Sequence, residues 1–229
     1  MSSTDPRFTA HSRSRLLHAL GLVVVAAAVM LVGFAAIIPA IAGGFEELAQ
    51  AGPASFLAIA AIATLQIGGV IGVGLLALGR LTPSELGWRA EGLATEVLIG
   101  LAGVAILVVL MVESAILFGV GTTELIDTMT AWSPKQRLLF LCIGITAALT
   151  EETLFRGYLQ PELTSRLGVA PGILLTAAIF SLYHLNFRPV SLLSKFLFGV
   201  ALGGMRQRRG LLIAPTIAHA LFWAVAGFA

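Results

Sequence analysis

Thr150-Glu151-Glu152-Thr153-Leu154-Phe155-Arg156-Gly157 follows a run, Leu138 to Leu149, that is nearly all apolar. Two adjacent carboxylates and an arginine within six residues need a reason in such surroundings. One charged side chain at the centre of a bilayer costs at least about 2.5–3.5 kcal/mol. Glu152 and Arg156 are four residues apart and share a helix face, so an ion pair there lowers the cost of both. Glu151 lies about 100° round the helix and has no local partner. It must find one on another segment or carry a proton.

The rest of the chain extends the oil. Of 229 residues, 58% are hydrophobic and 11% charged, and the mean hydropathy is +0.96. Globular proteins average about 25% charged, so this composition places the chain in a membrane. A formal net charge of +2, with no basic stripe interleaved with aromatics, excludes nucleic acid as a partner. The one cysteine, Cys142, sits in an apolar run and reads as a packed thiol. The apolar run from Leu16 to Ile41 exceeds a signal-peptide core of about 7–15 residues and reads as a retained first membrane helix.

Further spans, of about 20 residues each, are expected over Pro53–Leu78, Glu96–Val120 and from Pro134 to near Leu159. Three more are expected over Pro171–Leu185, Val190–Met205 and Leu211–Phe228. The fold class is therefore all-α, a multi-pass transmembrane bundle of about seven spans in a single membrane domain, 1–229. Residues 1–133 supply N-terminal helices and connectors, and 134–229 a C-terminal core. Ser133-Pro134 resembles an N-cap followed by proline at the first helical position. Gly68 and Gly72, and again Gly199 and Gly203, have the spacing that lets helices approach closely in lipid. Gln66 reads as a hydrogen-bonder to a neighbouring helix, Trp88 as an interfacial anchor, and Glu113 as a snorkelling or lumen-facing carboxylate. Arg7, Arg13, Arg15, Arg80, Arg89, Arg166, Arg206, Arg208 and Arg209 fall on one side of the alternation. Glu46, Glu47, Glu124, Asp127, Lys135, Arg137 and Arg188 fall on the other. The expected location is the cell membrane, with the N-terminus cytoplasmic and the C-terminus outside.

Two histidines are embedded in apolar sequence, His184 in Phe180-Ser-Leu-Tyr-His184 and His219 in Thr216-Ile-Ala-His219. With Glu151, Glu152 and Arg156 they would form a polar cluster able to hold water, a functional-site hypothesis in any membrane span. Two chemistries fit. Zinc could bind His184, His219 and Glu152 and leave one position open, with the other glutamate as base. Alternatively, a desolvated carboxylate activates water directly and the histidines orient it or stabilise the oxyanion. Spacing does not choose between them. The metal-free route, with no cofactor, is preferred because the zinc-peptidase motif with two histidines on one helix is absent.

Glu151-Glu152-x-x-x-Arg156, then Phe180-x-x-x-His184, then His219 on a last helix resembles the CPBP intramembrane proteases, the CAAX-protease and bacteriocin-processing family. The resemblance covers roughly Pro134 to Phe228. It implies a helical membrane core that cleaves peptide bonds near the membrane surface, acting on membrane-associated peptides or proteins in the bilayer. It also implies that one of the paired glutamates activates water. Glu151 is the expected base, because Glu152 has Arg156 to hold it. His184 and His219 would position water and stabilise charge, supported by Arg156 and Phe180, with the site opening toward the cytoplasmic half. The family often carries Asn or Asp four residues after the last histidine. Here that residue is Trp223, whose indole can donate but not accept. Asn186, two residues after His184, faces another side of a regular helix. The alternative to a peptidase is a non-catalytic immunity or scaffold protein of the same fold. A proton-relaying transporter is disfavoured, since no internal repeat is found.

Overall fold

The computed structural model describes residues 6–119, 121 and 132–228, with side chains from Ser14 to Trp223. Glu124 and Asp127 lie outside the described residues, as do the side chains of Arg7, His11 and Arg13. Nine helices run through the described residues and no strand occurs among them. They are α1 (6–42), α2 (Phe45–Ala49), α3 (Pro53–Leu78), α4 (Pro83–Leu86), α5 (Leu93–Leu117), α6 (Pro134–Leu167), α7 (Val169–Tyr183), α8 (Pro189–Arg209) and α9 (Ile213–Phe228). Ser14–Ala42, α3, α5 and α6 are long and apolar enough to cross a membrane; α7 and Ile213–Trp223 are apolar but shorter. The chain is an all-helical membrane bundle. All seven expected segments are helical, and four of them are both long and apolar enough to be a span. The sixth, α8, is 21 residues long but carries Lys195 and three arginines.

Local chemistry sets the ends. Ser133 accepts from the Gln136 backbone N–H while the Gln136 side chain accepts from the Ser133 N–H, a reciprocal cap that starts α6 before Pro134. Thr82 and Glu85 cap α4 in the same way. The Thr82 backbone N–H and hydroxyl both donate to the Glu85 carboxylate, and hold its carboxyl below the usual range.

The main departure from the sequence reading is α6, which was expected to stop near Leu159. It continues through Pro161 to Leu167 because Glu152–Leu159 is π-helical. The Gln160 N–H bonds to the Phe155 carbonyl, five residues back. A wider turn already leaves a carbonyl out of the i→i−4 ladder, so a proline at this point removes less than it would from a regular helix.

A second π-helical stretch, Thr64–Leu78, alters α3. The wider turn rotates Gly68 and Gly72 off any contact stripe. A Cβ added at Gly68 meets nothing within 4 Å, and one at Gly72 meets only its own helix's Ile67 carbonyl, at 3.7 Å. The expected close approach falls instead on Gly74, where an added Cβ would lie 2.6 Å from Leu22 of α1. The Gly199–Gly203 pair does pack. A Cβ added at Gly199 would lie 2.7 Å from the Ala177 Cβ of α7, and one added at Gly203 2.8 Å from the Gln160 side chain of α6.

The connector between α3 and α5 is the other departure. Trp88, expected at the interface, also reaches into the protein. Its indole N–H donates to Thr153 Oγ1 at 3.1 Å, inside the bundle. Leu86 is buried beside it, and a Cβ on Gly157 would come within 3.0 Å of the Leu86 carbonyl. Gly87 supports this insertion, with φ +103 and its carbonyl accepting from the Leu212 N–H at 3.0 Å. At the same end, Arg206 Nε donates to the Arg156 carbonyl at 3.1 Å, and Arg209 pairs with the fully buried Glu96 at 2.7 Å. Arg15 pairs with Glu162 at 3.1 Å. Arg15, Arg89, Arg166, Arg206 and Arg209, all on one side of the alternation, therefore gather at one end of the bundle, and the connector forms a floor there.

Candidate active site

The acidic stretch lies where α6 changes from α to π geometry. Every residue from Thr150 to Gln160 is buried, including Glu151, Glu152 and Arg156. Arg156 Nη1 donates to Glu152 Oε1 at 3.0 Å, as the i,i+4 spacing predicts. The guanidinium also sits 4.1 Å from the centroid of the Phe180 ring, a cation–π contact that compensates desolvation. Phe180 contacts Phe155 edge-on, with centroids 5.2 Å apart, and His184, at 4.8 Å. It is thus the apolar wedge that holds α6 and α7 together under the charged groups.

His184 terminates α7. Its Nδ1 donates to the Phe180 carbonyl at 2.8 Å; a carbonyl only accepts, so Nδ1 carries the proton and a neutral ring turns its Nε2 lone pair outward. His219, on α9, donates from Nδ1 to Glu152 Oε1 at 2.8 Å. Its Nε2 is likewise turned away from that bond. Both Nε2 atoms face Glu151 Oε2, at 3.7 Å from His184 and 3.8 Å from His219. These distances are too long for direct hydrogen bonds and suit one small bridging group. Glu151 Oε2 is buried and has no hydrogen-bond partner among the described residues.

All the residues expected from the sequence come together, with a division between the glutamates. Glu152 is enclosed by Arg156 and His219. Glu151 faces the two Nε2 atoms. Of the zinc set His184, His219 and Glu152, the Glu152 Oε1 atom is bonded to a guanidinium and to His219 Nδ1, on the far side of the ring from Nε2, while Glu152 Oε2 is buried without a hydrogen-bond partner among the described residues. Among the described residues, no group of three or more His, Cys, Asp or Glu is arranged to hold a metal ion.

The depths also agree. Glu151 is 16 residues from the end of α6 and His184 is 15 from the start of α7, about 24 and 22 Å at about 1.5 Å per residue. The extension of α6 to Leu167 supplies the length that a stop at Leu159 would have lacked.

A cavity of about 370 Å³ adjoins the cluster. Its apolar wall includes Met30, Phe34, Ile59 and Ile62, and its polar end Glu151, His184, Asn186 and Lys195. Leu48, on α2, and Asn186, just after α7, line the cavity from the connections opposite the arginine-rich end. Leu185, with φ +54, ends α7 and is followed by Asn186 in the cavity wall. Trp223 also lines the cavity, and its Cβ would lie 2.4 Å from a Cβ added at Gly144. Trp223 thus seals α9 against α6. Gln66, expected to bond a neighbouring helix, lines the cavity instead. Lys195 also lines the cavity; the signal in the sequence that could have singled it out is its place two turns into α8, deeper than a snorkelling lysine needs.

Residues 133–225 match the family model described as type II CAAX prenyl endopeptidase Rce1-like. The resemblance seen in the motif is borne out over that segment. No curated protein and no solved structure matches the chain.

Proposed function

Because residues 133–225 match the model of the Rce1-like type II CAAX prenyl endopeptidases, we propose that the chain is an intramembrane endopeptidase that cleaves peptide bonds of membrane-associated substrates with glutamate-activated water. One observation carries this reading: the unpartnered Glu151 Oε2 faces both Nε2 atoms, while both Nδ1 atoms are engaged elsewhere. Water bound between them would donate one O–H to Glu151 and the other to His184 Nε2. Glu151 takes a proton as the water oxygen attacks the carbonyl carbon. His219, held by the Glu152 carboxylate through Nδ1, would stabilise the developing oxyanion from its Nε2 side. Glu151 then returns its proton to the amide nitrogen, the C–N bond breaks, and a carboxylic acid and an amine leave. Arg156 and Phe180 hold Glu152 and His184 in place.

No metal enters this scheme. The location follows the arginines, with the N-terminus cytoplasmic, the C-terminus outside and the cavity on the outer half.

The test is cleavage of membrane-tethered peptides by the purified chain in lipid discs. Glu151→Gln keeps the shape and should lower the rate about 10²–10⁴-fold; an unchanged rate would remove Glu151 from the mechanism. Chelators should leave cleavage intact, and activity lost to a chelator and restored by zinc would overturn the metal-free route. Trp223 favours the second reading, a non-catalytic binding protein, since it occupies the cavity wall where a carboxamide could have served the oxyanion. Under that reading no peptide is cut, and Trp223→Asn gains activity.

A further inference from the structure

The scheme above leaves one charged group on the cavity wall unused. Lys195 lies on α8 and lines the same cavity as Glu151, His184 and Asn186. It is within electrostatic reach of Glu151, yet no carboxylate among the described residues comes within ion-pair distance of it and it makes no hydrogen bond there. An ammonium removed from water and left without a partner is costly. Arg156, the other cation here, is by contrast paired with Glu152 at 3.0 Å and covered by the Phe180 ring. Of the two cations near the cluster, Arg156 is neutralised inside the protein, whereas Lys195 lines the cavity without an internal partner among the described residues. Asn186 stands on the same wall and adds a carboxamide donor, while the opposite wall of Met30, Phe34, Ile59 and Ile62 is apolar.

We propose that Lys195 is a specificity residue that binds a carboxylate of the incoming peptide. A substrate would place apolar groups along α1 and α3, its scissile carbonyl at Glu151, and an anionic carboxylate at Lys195. That carboxylate could be the free C-terminus or an acidic side chain. Neither Lys195 nor the carboxylate takes part in bond cleavage. This proposal rests on the peptidase reading for the position of the scissile bond, but the binding it describes can be measured without turnover.

Two experiments separate the two ideas. In the first, the Glu151→Gln chain in lipid discs is titrated with fluorescent lipid-anchored peptides of one sequence, ending in a free carboxylate or a carboxamide. A third peptide ends in a carboxamide and has an internal glutamate near that end. At least one acidic form should bind about tenfold to a hundredfold more tightly than the neutral amide, as a charge-assisted hydrogen bond implies. The form that does so identifies the source of the carboxylate. Adding Lys195→Met should abolish the preference and leave amide binding unchanged, and Lys195→Arg should retain most of it. Equal binding of all three peptides, or equal weakening of all three by Lys195→Met, would overturn the proposal. In the second experiment, the unmodified chain and Lys195→Met are assayed for cleavage of the same peptides. The loss should appear in KM for the acidic peptide with kcat little changed. A fall in kcat on every peptide would mean that Lys195 acts on Glu151 instead. If the binding preference is found but nothing is cleaved, the peptidase reading fails and the carboxylate site stands.

Discussion

Arg156 shows how a fully buried charge is tolerated in this molecule. Its guanidinium is held on one side by Glu152 and on another by the Phe180 ring. Truncating one member leaves the other buried and unpaired, which typically costs about 3–5 kcal/mol. Arg156→Met should therefore lower the unfolding temperature strongly, while Arg156→Met combined with Glu152→Gln should recover part of the loss. Cys142, the one thiol and only half-buried, gives a direct measurement through the temperature at which it reacts with a thiol dye. Equal destabilisation by the single and double variants would show that the pair is not what holds this region. Glu151 behaves differently at the same scale. Its nearest polar neighbours are the two histidine Nε2 atoms, 3.7 and 3.8 Å away and beyond hydrogen-bond distance, so it can be changed to Gln with little effect on that temperature.

At the scale of elements, glycines report which helix faces are in use. A Cβ added at Gly199 of α8 would lie 2.8 Å from the Cα of Ala177. Gly199→Val should push α7 from α8 and cost about 1–3 kcal/mol through overpacking. Gly68→Ala on α3 meets nothing and should be neutral within about 0.5 kcal/mol, or stabilising because alanine favours helix. The two glycine pairs have the same spacing in the sequence, so a difference between them measured by thermal unfolding isolates packing from spacing. Gly144→Ala is the local counterpart at the site. Its Cβ would collide with that of Trp223, so it should alter the cavity and lower peptide binding before it unfolds the chain.

Across the whole molecule, the arginine-rich end is closed and the opposite end contains the cavity. Glu96 anchors the closed end: one carboxylate oxygen accepts from Arg209 at 2.7 Å, and the other from the Ala214 N–H at 3.3 Å. It thereby ties α5 to the turn between α8 and α9 and satisfies an orphan donor at the start of α9. Glu96→Leu should destabilise by about 1–3 kcal/mol and raise protease sensitivity at the 210–212 turn. The orientation has its own measurement. Reporters fused to the two ends of the chain should place the N-terminus in the cytoplasm and the C-terminus outside, and the reverse labelling would show that the arginine cluster does not set topology here.

The sequence alone determined the membrane class, the order of the helices and the pairing of Glu152 with Arg156. These follow from composition and from neighbours along one helix, where a 3.6-residue period relates position to direction. Cap and proline signals placed the start of α6 correctly for the same reason. Tertiary structure alone decided which glutamate faces both histidines, where α6 ends, that Trp88 forms a floor and that Lys195 lines the cavity. Each depends on the azimuth and depth of one helix relative to another. Two π-helical stretches shift those quantities without leaving a period that the sequence displays. The Glu151-Glu152 pair is the clearest example: adjacency put the carboxylates about a quarter-turn apart, and only the packing of α7 and α9 gave one of them two histidines to face.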